Sequence, residues 1–384
     1  MNVLIDATSI TKKKAGVGVY AKNLIEELTR FHPGPHFFLL VQDDDPELEF
    51  GGRDNVTMIR VPARLFRLLP LRFLLEQVFV PFLLVKLRID VIHSLHYSFP
   101  LVHIGSRQVV TLHDMTFFNM PEVHKPVKIV YFRMFIRAAI CFADKVIFVS
   151  HSALQDCTAR LGPLRASSEV IHLGKSDAFA PDLDPAEVLR VRMKYGLPEE
   201  FILYVGMIEP RKNLSRLVSA FATVCAMHPG LSLVIAGMQG WMNNGLMETI
   251  SGLGIESRVI FTGFVPESEK PFLIAASKVF AYPSLYEGFG IPVLEALACG
   301  VPTLTSNVSS LPEVAGNAAL MIDPRSVTEM SSALERLLSD ESLREELRRE
   351  SLHQAAKFTW VRTAAMTLRA YESVLSPKTR GLLN

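Results

Sequence analysis

The chain has 384 residues, of which 49% are hydrophobic and 21% charged, and its formal net charge is +1. This length predicts at least two domains, and the composition is that of a globular rather than a disordered protein. The nearly neutral charge balance argues against nucleic acid as a partner.

The first residues, Met1 to Asp6, form a strand-like segment with no basic region ahead of an apolar stretch, so we expect no secretory signal. The most apolar segment, Phe73 to Val85, contains Glu76, Gln77 and Pro81 and is too short to span a membrane. Four well-separated cysteines lack metal-ligand spacing and are expected to be reduced thiols. These features predict a cytoplasmic protein.

Short β-rich segments alternate with helical patterns along the first half of the chain, which is typical of a doubly wound α/β domain. Turn-forming residues between Gly174 and Pro185 predict a linker, after which the alternation begins again. We therefore predict two Rossmann-like domains that face each other across a cleft, followed by a helix that packs back on the first domain. The predicted boundaries are 1–174 for the N-terminal domain, 175–360 for the C-terminal domain and 361–384 for the final helix.

Gly16, Gly18 and Ala21 fit the glycine pattern of a dinucleotide-binding turn. Residues 7–15 separate these positions from the first strand, however, whereas that pattern requires a tight turn from strand to helix. An NAD-dependent oxidoreductase is therefore an alternative function. A glycine loop that opens a helix and meets a phosphate or sugar is the favoured interpretation.

His113 follows the strand-like segment Val109–Leu112, at the carboxyl end where open α/β sheets bind ligands. It is therefore a candidate site residue, the alternative being a histidine that anchors its own loop. Asp43, Asp44 and Asp45 resemble an Asp-x-Asp metal signature. Because they lie in a polar loop with further acids after it, a solvated acidic turn is favoured and no metal is predicted.

Residues 60–88 form a basic, Leu- and Phe-rich segment in which Glu76 is the single acid among six cations: Arg60, Arg64, Arg67, Arg72, Lys86 and Arg88. A helix of this composition, predicted near Leu65–Leu87, is typical of an interfacial anchor on an anionic membrane surface. The alternative is an ordinary helix with one face in the core and its basic residues outside. The anchor interpretation predicts a peripheral protein at the inner face of the cytoplasmic membrane.

In the second domain, Gly206 follows a strand, and the cations Arg211 and Lys212 stand just before the next helix. Two cations at this place suit a pyrophosphate, with Lys212 as a point charge and Arg211 as a bidentate donor. A surface basic pair is the alternative.

Glu287 and Glu295 stand eight residues apart, with Gly288, Gly290 and Pro292 between them. The glycines and the proline place Glu287 in a loop and Glu295 about one turn inside a helix. The free amides of the first helical turn then form an anion site between two carboxylates that can accept hydroxyl groups. This arrangement suits a sugar nucleotide, although a first-turn glutamate favoured by the helix dipole is the structural alternative.

Together these motifs resemble glycosyltransferase family 4, whose members are retaining enzymes of the GT-B fold. The similarity rests on residues 206–213, on Glu287 and Glu295 with Gly288-Phe289-Gly290 between them, and on residues 310–316. It extends to Gly16–Gly18 and Thr111–Asp114. It implies a metal-independent hexosyltransferase that uses no cofactor, in which the acceptor attacks the donor sugar on the same face that the diphosphate leaves. The anchor interpretation of residues 60–88 adds the prediction that the acceptor is a lipid-linked glycan or a polysaccharide.

The donor implied first is GDP-mannose, and a UDP-sugar is the alternative. Many family members have an arginine directly after Gly206, where this chain has Met207. Either Arg211 supplies that charge or there are fewer diphosphate contacts. A non-catalytic subunit that binds sugar nucleotides is therefore a further alternative.

The resemblance also implies roles for individual residues. Glu287 would contact the donor sugar and Glu295 the ribose, while His113 would lie beside the anomeric centre and Gly16 near the phosphates. The diphosphate would be bound by Lys212 together with the backbone amides at Phe289 and Gly290. Further candidate positions of the donor site are Gly206, Arg211, Gly288 and Ile291. Val265 and Glu267 follow another strand and should lie near the base, where Glu267 can accept the paired N–H donors of guanine.

Overall fold

The computed structural model describes residues 1–10, 16–31, 34–45, 48–238, 240 and 244–376. These form two compact units, one comprising Met1–Gly174 with Trp360–Asn384 and the other Lys175–Thr359. Part of the loop predicted between the first strand and Gly16 lies outside the described residues, as do Pro46 and Glu47 beside the acidic turn and the last eight residues of the predicted C-terminal helix.

The first unit is built on a parallel sheet that has seven strands within the described residues, in the order β3-β2-β1-β4-β5-β6-β7. Most residues of the five inner strands are buried, as is typical of a parallel sheet. The strands are β1 (Asn2–Asp6), β2 (His36–Gln42), β3 (Val56–Val61), β4 (Val91–Ser94), β5 (Arg107–Leu112), β6 (Lys145–Phe148) and β7 (Ser167–Val170).

The helices of this unit follow the apolar periodicity of the sequence. The long helix predicted near Leu65–Leu87 is divided at Arg67 and Leu68, ahead of Pro70 in the first turn of the second part. The helices are α1 (Gly16–Leu28), α2 (Ala63–Phe66), α3 (Leu69–Lys86), α4 (Thr116–Asn119), α5 (Pro126–Phe142), α6 (His151–Leu161) and the C-terminal α15 (Trp360–Leu375).

Helix α15 belongs to the first unit although 185 residues of the second unit precede it in the chain. The Tyr371 hydroxyl lies 2.6 Å from Nδ1 of His93 on β4, and the Thr363 hydroxyl donates to the His172 carbonyl at 2.8 Å. Trp360 packs against Tyr20 of α1 with ring centroids 6.3 Å apart. The last helix therefore completes the cover of the N-terminal sheet, as the sequence predicted.

The second unit repeats the same topology with six parallel strands among its described residues, in the order β10-β9-β8-β11-β12-β13. The strands are β8 (Phe201–Val205), β9 (Ser232–Ala236), β10 (Val259–Gly263), β11 (Val279–Tyr282), β12 (Thr303–Ser306) and β13 (Leu320–Ile322). The helices are α7 (Pro185–Lys194), α8 (Leu214–Cys225), α9 (Asn244–Gly252), α10 (Lys270–Ala275), α11 (Ile291–Ala298), α12 (Leu311–Ala315), α13 (Val327–Ser339) and α14 (Glu341–Ala355).

Five elements, β7, β13, α4, α7 and α12, were not predicted from the sequence. Strand β7 carries only exposed or half-buried residues and so lacks the apolar run that marks a central parallel strand. Strand β13 is apolar but has only three residues, which is too short for a distinct pattern. Helix α7 begins at Pro185, where the turn-forming residues end and Asp184 accepts from the amide of Ala186 at 2.9 Å. Its N-cap therefore stands inside the predicted linker.

Residues 60–88 differ in one respect from the ordinary helix that was the alternative to a membrane anchor, and the anchor interpretation stays a prediction. Arg72 and Glu76 form an ion pair of 2.6 Å on the buried face of α3, while four apolar side chains of the same helix are more than half exposed. Two further cations are paired with acids of the preceding loop, Arg60 with Glu49 and Arg67 with Asp44. The expectation of a helix with its cations outside was wrong for Arg72, because Glu76 and the Ser98 hydroxyl satisfy its charge in the interior. No helix in the described ranges has the length and apolar content needed to cross a membrane.

Candidate functional site

The two cations and the first glutamate predicted for donor binding meet at the carboxyl edge of the second sheet. Arg211 and Lys212 follow β8, and Glu287 follows β11, which is the neighbour of β8. The strand order reverses at this pair, and ligands of doubly wound sheets bind in the crevice outside such a reversal. The fold therefore brings together residues that are 75 positions apart in the chain.

Glu287 lies between the two cations. Its Oε1 accepts from Nζ of Lys212 at 2.5 Å, and its Oε2 accepts from Nη1 of Arg211 at 2.9 Å. Arg211 also places Nε 2.6 Å from the Glu209 carboxylate. Lys212 donates a second hydrogen bond, of 2.6 Å, to the Tyr282 hydroxyl at the end of β11. We call this group of five residues the Glu287 cluster.

The electrostatics of the Glu287 cluster keep its carboxylate ionised. Burial would raise the pKa of Glu287, but the charges of Arg211 and Lys212 outweigh burial and lower the pKa to about 2. Burial and the neighbouring Arg211 lower the pKa of Lys212, and Glu287 opposes them. The ionised Glu287 in contact with it favours the charged form of Lys212.

The backbone between Glu287 and α11 is held by the loop that follows β12. The Glu287 amide donates to the Ser309 hydroxyl at 3.0 Å, and the Ser310 hydroxyl lies 2.9 Å from the Phe289 carbonyl oxygen. Gly290 has a φ of 107°, and a Cβ there would lie 2.8 Å from the Leu311 side chain. Glycine is therefore required for the turn that starts α11.

Glu295, the second glutamate, lies inside α11 and is only 2% exposed. Its carboxylate oxygens are 3.3 and 3.4 Å from Nζ of Lys270, at the start of α10. The same ammonium is 2.9 Å from the carboxylate of Glu267. Lys270 thus links two acids that the sequence assigned to the ribose and to the base, and we call these three residues the Glu295 cluster.

The charge balance in the Glu295 cluster is the opposite of that around Glu287. Burial raises the pKa of Glu295 to about 7, with the Lys270 charge opposing the rise and the Glu267 charge adding to it. Burial lowers the pKa of Lys270, but the two acids outweigh it and raise the pKa above its usual value. Glu295 is therefore a carboxyl group that titrates near neutral pH.

A pocket of about 540 Å³ lies beside the ends of β8, β9 and β10. Apolar and sulfur-containing side chains dominate its described lining, together with glycine backbone: Ile208, Met238, Met247, Phe261, Gly263 and Phe264. Val265, predicted near the base, directly follows the last of these and is buried. Gly206 lies at the end of β8, where its amide donates to the Ala236 carbonyl at 2.9 Å. An apolar pocket with backbone groups at its rim suits a flat heterocycle.

In the first unit, His113 lies just beyond β5 and is buried. Its Nε2 is 2.8 Å from the Leu95 carbonyl oxygen, so Nε2 carries the proton and Nδ1 is the hydrogen-bond acceptor. Burial lowers the pKa of His113, which keeps the ring neutral. Tyr20 packs edge-on against this ring with centroids 4.9 Å apart, one helical turn after Gly16, the first residue of α1.

The acids of the turn after β2 form more contacts with the protein than the predicted solvated loop would. Asp43 Oδ1 accepts from the amide of Ala63 at 3.0 Å, at the start of α2. Asp44 pairs with Arg67 at 2.8 Å, and Asp45 is 7% exposed. Two of the three acids therefore anchor the segment that leads into α2.

Several residues of these clusters were not predicted from the sequence. Tyr282 ends a strand that reads only as an apolar run, and Lys270 precedes Pro271 in a short helix with no motif around it. The signal that could have found Lys270 is physical, because a buried glutamate inside a helix requires a cation nearby. Ser310 stands in a segment that the sequence had marked, but its contact with the Phe289 carbonyl requires the tertiary fold.

Comparison with known families confirms the resemblance found in the sequence. A family model described as "Glycosyl transferases group 1" matches residues 190–354, within the second unit. A second model, described as "Glycosyltransferase Family 4", matches residues 15–175. The two matches together cover most of the chain.

Individual relatives agree with the family models. The "O-antigen chain mannosyltransferase B" of Escherichia coli is 34% identical over 277 residues, which are 72% of this chain and 72% of that protein. The "Serotype-specific mannosyltransferase WbdA" of Escherichia coli is 35% identical over 239 residues, 61% of this chain but only 29% of WbdA. Sucrose-phosphate synthase from Thermosynechococcus elongatus superposes with a TM-score of 0.76 at 21% identity, over 97% of this chain and 98% of that one. This last similarity confirms the predicted α/β fold of the GT-B class.

Proposed function

The chain belongs to the group 1 glycosyl transferases, and we propose that it is a retaining mannosyltransferase that uses GDP-mannose to extend a lipid-linked or polysaccharide glycan. The 34% identical relative, named an O-antigen chain mannosyltransferase, supports mannose as the sugar and an O-antigen-type glycan as the acceptor. The Glu287 cluster, at the strand reversal of the second sheet, is the observation that carries the transferase assignment.

Lys212 has the properties needed to stabilise a departing diphosphate. A lysine ammonium has three N–H donors, and the described partners Glu287 and Tyr282 use two of them. A third remains for a phosphate oxygen, directed by two bonds that hold the side chain in one position. An ammonium oriented in advance stabilises developing charge without reorganisation during the reaction.

The proposed sugar transfer needs no nucleophile from the protein. The anomeric C–O bond to the diphosphate breaks, and its electron pair stays on the diphosphate oxygen. The acceptor oxygen bonds to the anomeric carbon on the same face, and its proton passes to the departing phosphate. Lys212, Arg211 and the amides that open α11 at Ile291 would stabilise the negative charge, so the mechanism does not depend on a metal ion.

The remaining assignments concern the sugar. Glu287, ionised between two cations, would accept hydrogen bonds from hydroxyl groups of the mannose, while Phe289 and Gly290 bring the backbone close to the diphosphate. His113 offers an unprotonated Nδ1 as a further acceptor, and Gly16 begins the helix whose Tyr20 packs on that ring. Each of these groups binds or orients, and none needs to form a covalent bond.

The nucleotide would extend from the Glu287 cluster to the Glu295 cluster. Glu295 would accept the ribose hydroxyls and Glu267 the N1 and N2 protons of guanine, which uracil does not offer as a pair. The Glu267 side chain is 48% exposed and so is accessible to a base. A UDP-sugar donor is the second candidate, because the neighbouring apolar pocket would also accept a smaller ring.

An acceptor carried on a lipid would bring the enzyme to a membrane surface. We infer a peripheral position at the inner face of the cytoplasmic membrane, with residues 60–88 facing anionic lipid. Three of the six cations of this segment are paired with acids, so charge alone supports this inference less than the sequence suggested.

A nucleotide panel and a transfer assay test the proposal together. In thermal-shift measurements, GDP should stabilise the protein more than UDP or dTDP. With GDP-mannose and a lipid-linked glycan extract, mass spectrometry should detect added hexose, and the addition should persist in EDTA. Glu287→Gln should lower both donor affinity and transfer.

Two outcomes contradict the proposal at different levels. Stabilisation by UDP alone would overturn GDP-mannose as the donor while leaving the transferase class untouched. Unchanged donor affinity and near-normal transfer by Glu287→Gln would show that the Glu287 cluster is not the donor site.

A further inference from the structure

Helix α3 carries an apolar stripe that points away from the sheet. The side chains of Leu74, Val78, Phe82 and Val85 are 57%, 62%, 59% and 58% exposed, and they recur every three or four residues. In a water-facing helix, this stripe would carry polar residues. The outward side of α3 is therefore as apolar as a side that packs in a core.

Helix α5 and one loop show the same property. Val127, Val130 and Phe142 of α5 are each more than two-thirds exposed. The loop between β4 and β5 exposes three further apolar side chains, Leu101, Val102 and Ile104. Contiguous apolar patches of this extent are rare on soluble monomers and mark interaction sites.

The three elements lie next to one another. The Tyr131 hydroxyl of α5 donates to Glu76 of α3 at 3.1 Å, and the Leu101 amide donates to Gln77 of α3 at 2.8 Å. Phe73 and Phe135 also join α3 to α5, with ring centroids 6.3 Å apart. Their exposed residues form one surface, which we call the α3–α5 face.

The α3–α5 face points in one direction because both helices cover the same side of the sheet. Leu4 is in register with Ile92, and Ile92 with Gln108, which lies two residues from Val110. Leu4 packs in the cluster beneath α3, and Val110 in the cluster beneath α5. Residues opposite these clusters therefore face away from the sheet together.

Helix α3 buries an ion pair, whereas a water-facing helix normally places its charges on the exposed side. Arg72 donates to Glu76 at 2.6 Å and to the Ser98 hydroxyl at 2.7 Å, all in the interior. Burying an ion pair costs desolvation energy that apolar residues at the same place would not. Helix α3 thus holds its ion pair inside and presents Leu, Val and Phe outside, an arrangement suited to an apolar phase.

We propose that the α3–α5 face inserts into the interfacial region of an anionic lipid bilayer. This proposal rests on the proposed function in one respect, because a lipid-linked acceptor gives the enzyme a reason to contact a membrane. It extends the membrane contact beyond residues 60–88 to α5 and the 101–104 loop, and it makes apolar insertion rather than charge the main source of affinity.

The charges at the margins of this face favour lipid over a second copy of the chain. Exposed cations flank both helices, with Arg64, Lys86 and Arg88 around α3 and Lys125 and Lys128 at the start of α5. The only exposed acid within residues 62–88 and 121–142 is Glu122. A symmetric dimer through this face would set cations against cations, whereas anionic headgroups would pair with them.

Vesicle co-sedimentation of the full chain, without donor or acceptor, tests the proposal. The probes are phosphatidylcholine vesicles with and without phosphatidylglycerol. The variant Leu74→Gln/Val78→Gln/Phe82→Gln should reduce partitioning about tenfold or more. A control triple, Leu189→Gln/Met193→Gln/Val361→Gln, removes comparably exposed apolar residues elsewhere and should leave partitioning unchanged.

Salt separates insertion from charge attraction. Binding by the wild-type protein should persist in part at about 0.5 M NaCl, where the Debye length is a few ångströms and purely electrostatic binding is lost. Both triple variants should keep the thermal midpoint of the wild type, because the substituted side chains are exposed. If a triple variant has a changed thermal midpoint, the partitioning measurement is repeated with the single variants Val78→Gln and Val130→Gln.

Three results would overturn the proposal. The first is that the wild-type protein does not bind anionic vesicles at low salt, and the second is that the face variant and the control variant partition equally. The third is that light scattering shows a wild-type dimer that becomes a monomer in the face variant, while the wild type does not bind vesicles. Failure of the proposed function is distinguishable, because transfer to a water-soluble acceptor does not require this face. A face variant that no longer binds vesicles but transfers sugar normally to the water-soluble acceptor supports both the membrane proposal and the proposed function.

Discussion

The two glutamates of the loop-helix motif are eight residues apart and both are buried, yet their pKa values shift in opposite directions. The pKa of Glu287 falls to about 2 and that of Glu295 rises to about 7. Glu287 contacts two cations at 2.5 and 2.9 Å. Glu295 contacts one cation at 3.3 Å, which it shares with Glu267.

The comparison shows that burial does not decide the charge of a carboxyl group by itself. Burial raises the pKa at both positions, and the number and distance of the cations determine which effect wins. At neutral pH, Glu287 is a permanent anion that orients Lys212. Glu295 is a group whose charge depends on pH, and its ionised state depends on Lys270.

The largest expected effect comes from removing the cation of each cluster in turn. Lys212→Met should lower kcat by about 10²- to 10³-fold, because it removes the ammonium that we propose stabilises the leaving diphosphate. Lys270→Met should mainly raise the KM for the donor, because the Glu295 cluster is proposed to bind only the ribose and the base. Steady-state kinetics with the donor varied separate the two.

Lys278→Met, which removes a lysine paired with Glu200 away from both clusters, is the matched control. An equal fall in kcat for Lys212→Met and Lys270→Met would show that the two clusters do not divide the work as proposed.

The pH dependence of stability should differ in sign between the two glutamates. The folded-state pKa of Glu287 lies below the unfolded value of about 4.5, so its stabilisation is present above pH 4.5 and is lost as the pH falls towards 2. The folded-state pKa of Glu295 lies above that value, so its stabilisation is present below pH 4.5 and is lost as the pH rises towards 7. Each shift corresponds to roughly 3 kcal/mol in the free energy of unfolding.

Urea unfolding of Glu287→Gln and Glu295→Gln at a series of pH values measures the contribution of each glutamate to the free energy of unfolding. Relative to wild type, Glu287→Gln should lose the gain in stability between pH 2 and 4.5. Glu295→Gln should lose the decline between pH 4.5 and 7. Parallel curves for wild type and both variants would contradict the opposite shifts.

The smallest expected effect concerns nucleotide affinity. If Glu295 binds the ribose as proposed, affinity for GDP should rise with pH through about 7, because an ionised carboxylate accepts hydroxyl groups more strongly than the neutral acid. Lys270→Met removes the charge that lowers the pKa of Glu295, while Glu267 still raises it. The midpoint should therefore move to higher pH and weaken binding at pH 7 by about three- to tenfold.

Calorimetric titration of GDP between pH 6 and 8.5 follows this midpoint. Lys270→Arg should restore the wild-type profile, since it returns the charge. An unchanged midpoint in Lys270→Met, combined with a loss of affinity in Glu295→Gln, would mean that Lys270 only stabilises the fold.

Much of the architecture follows from local pattern. Alternating β-rich and helical segments predicted two doubly wound units, and the apolar periodicity from Trp360 predicted the helix that completes the first one. The central strands were predictable because parallel strands buried on both faces are continuous apolar runs. The edge strand β7 was missed because its residues are exposed or half-buried, and β13 was missed because it has only three residues.

The family, the glycine turn that opens α11 and the charged residues proposed for the donor site were all predictable from local motifs. The tertiary structure determines which of these charges pair, because two adjacent strands bring together Lys212 and Glu287, which are 75 positions apart in the chain. It also placed Lys270 between Glu295 and Glu267, and it turned the ion pair of α3 inward. Pairing and burial set the pKa values and the exposed apolar face, and both depend on neighbours in space that no local pattern contains.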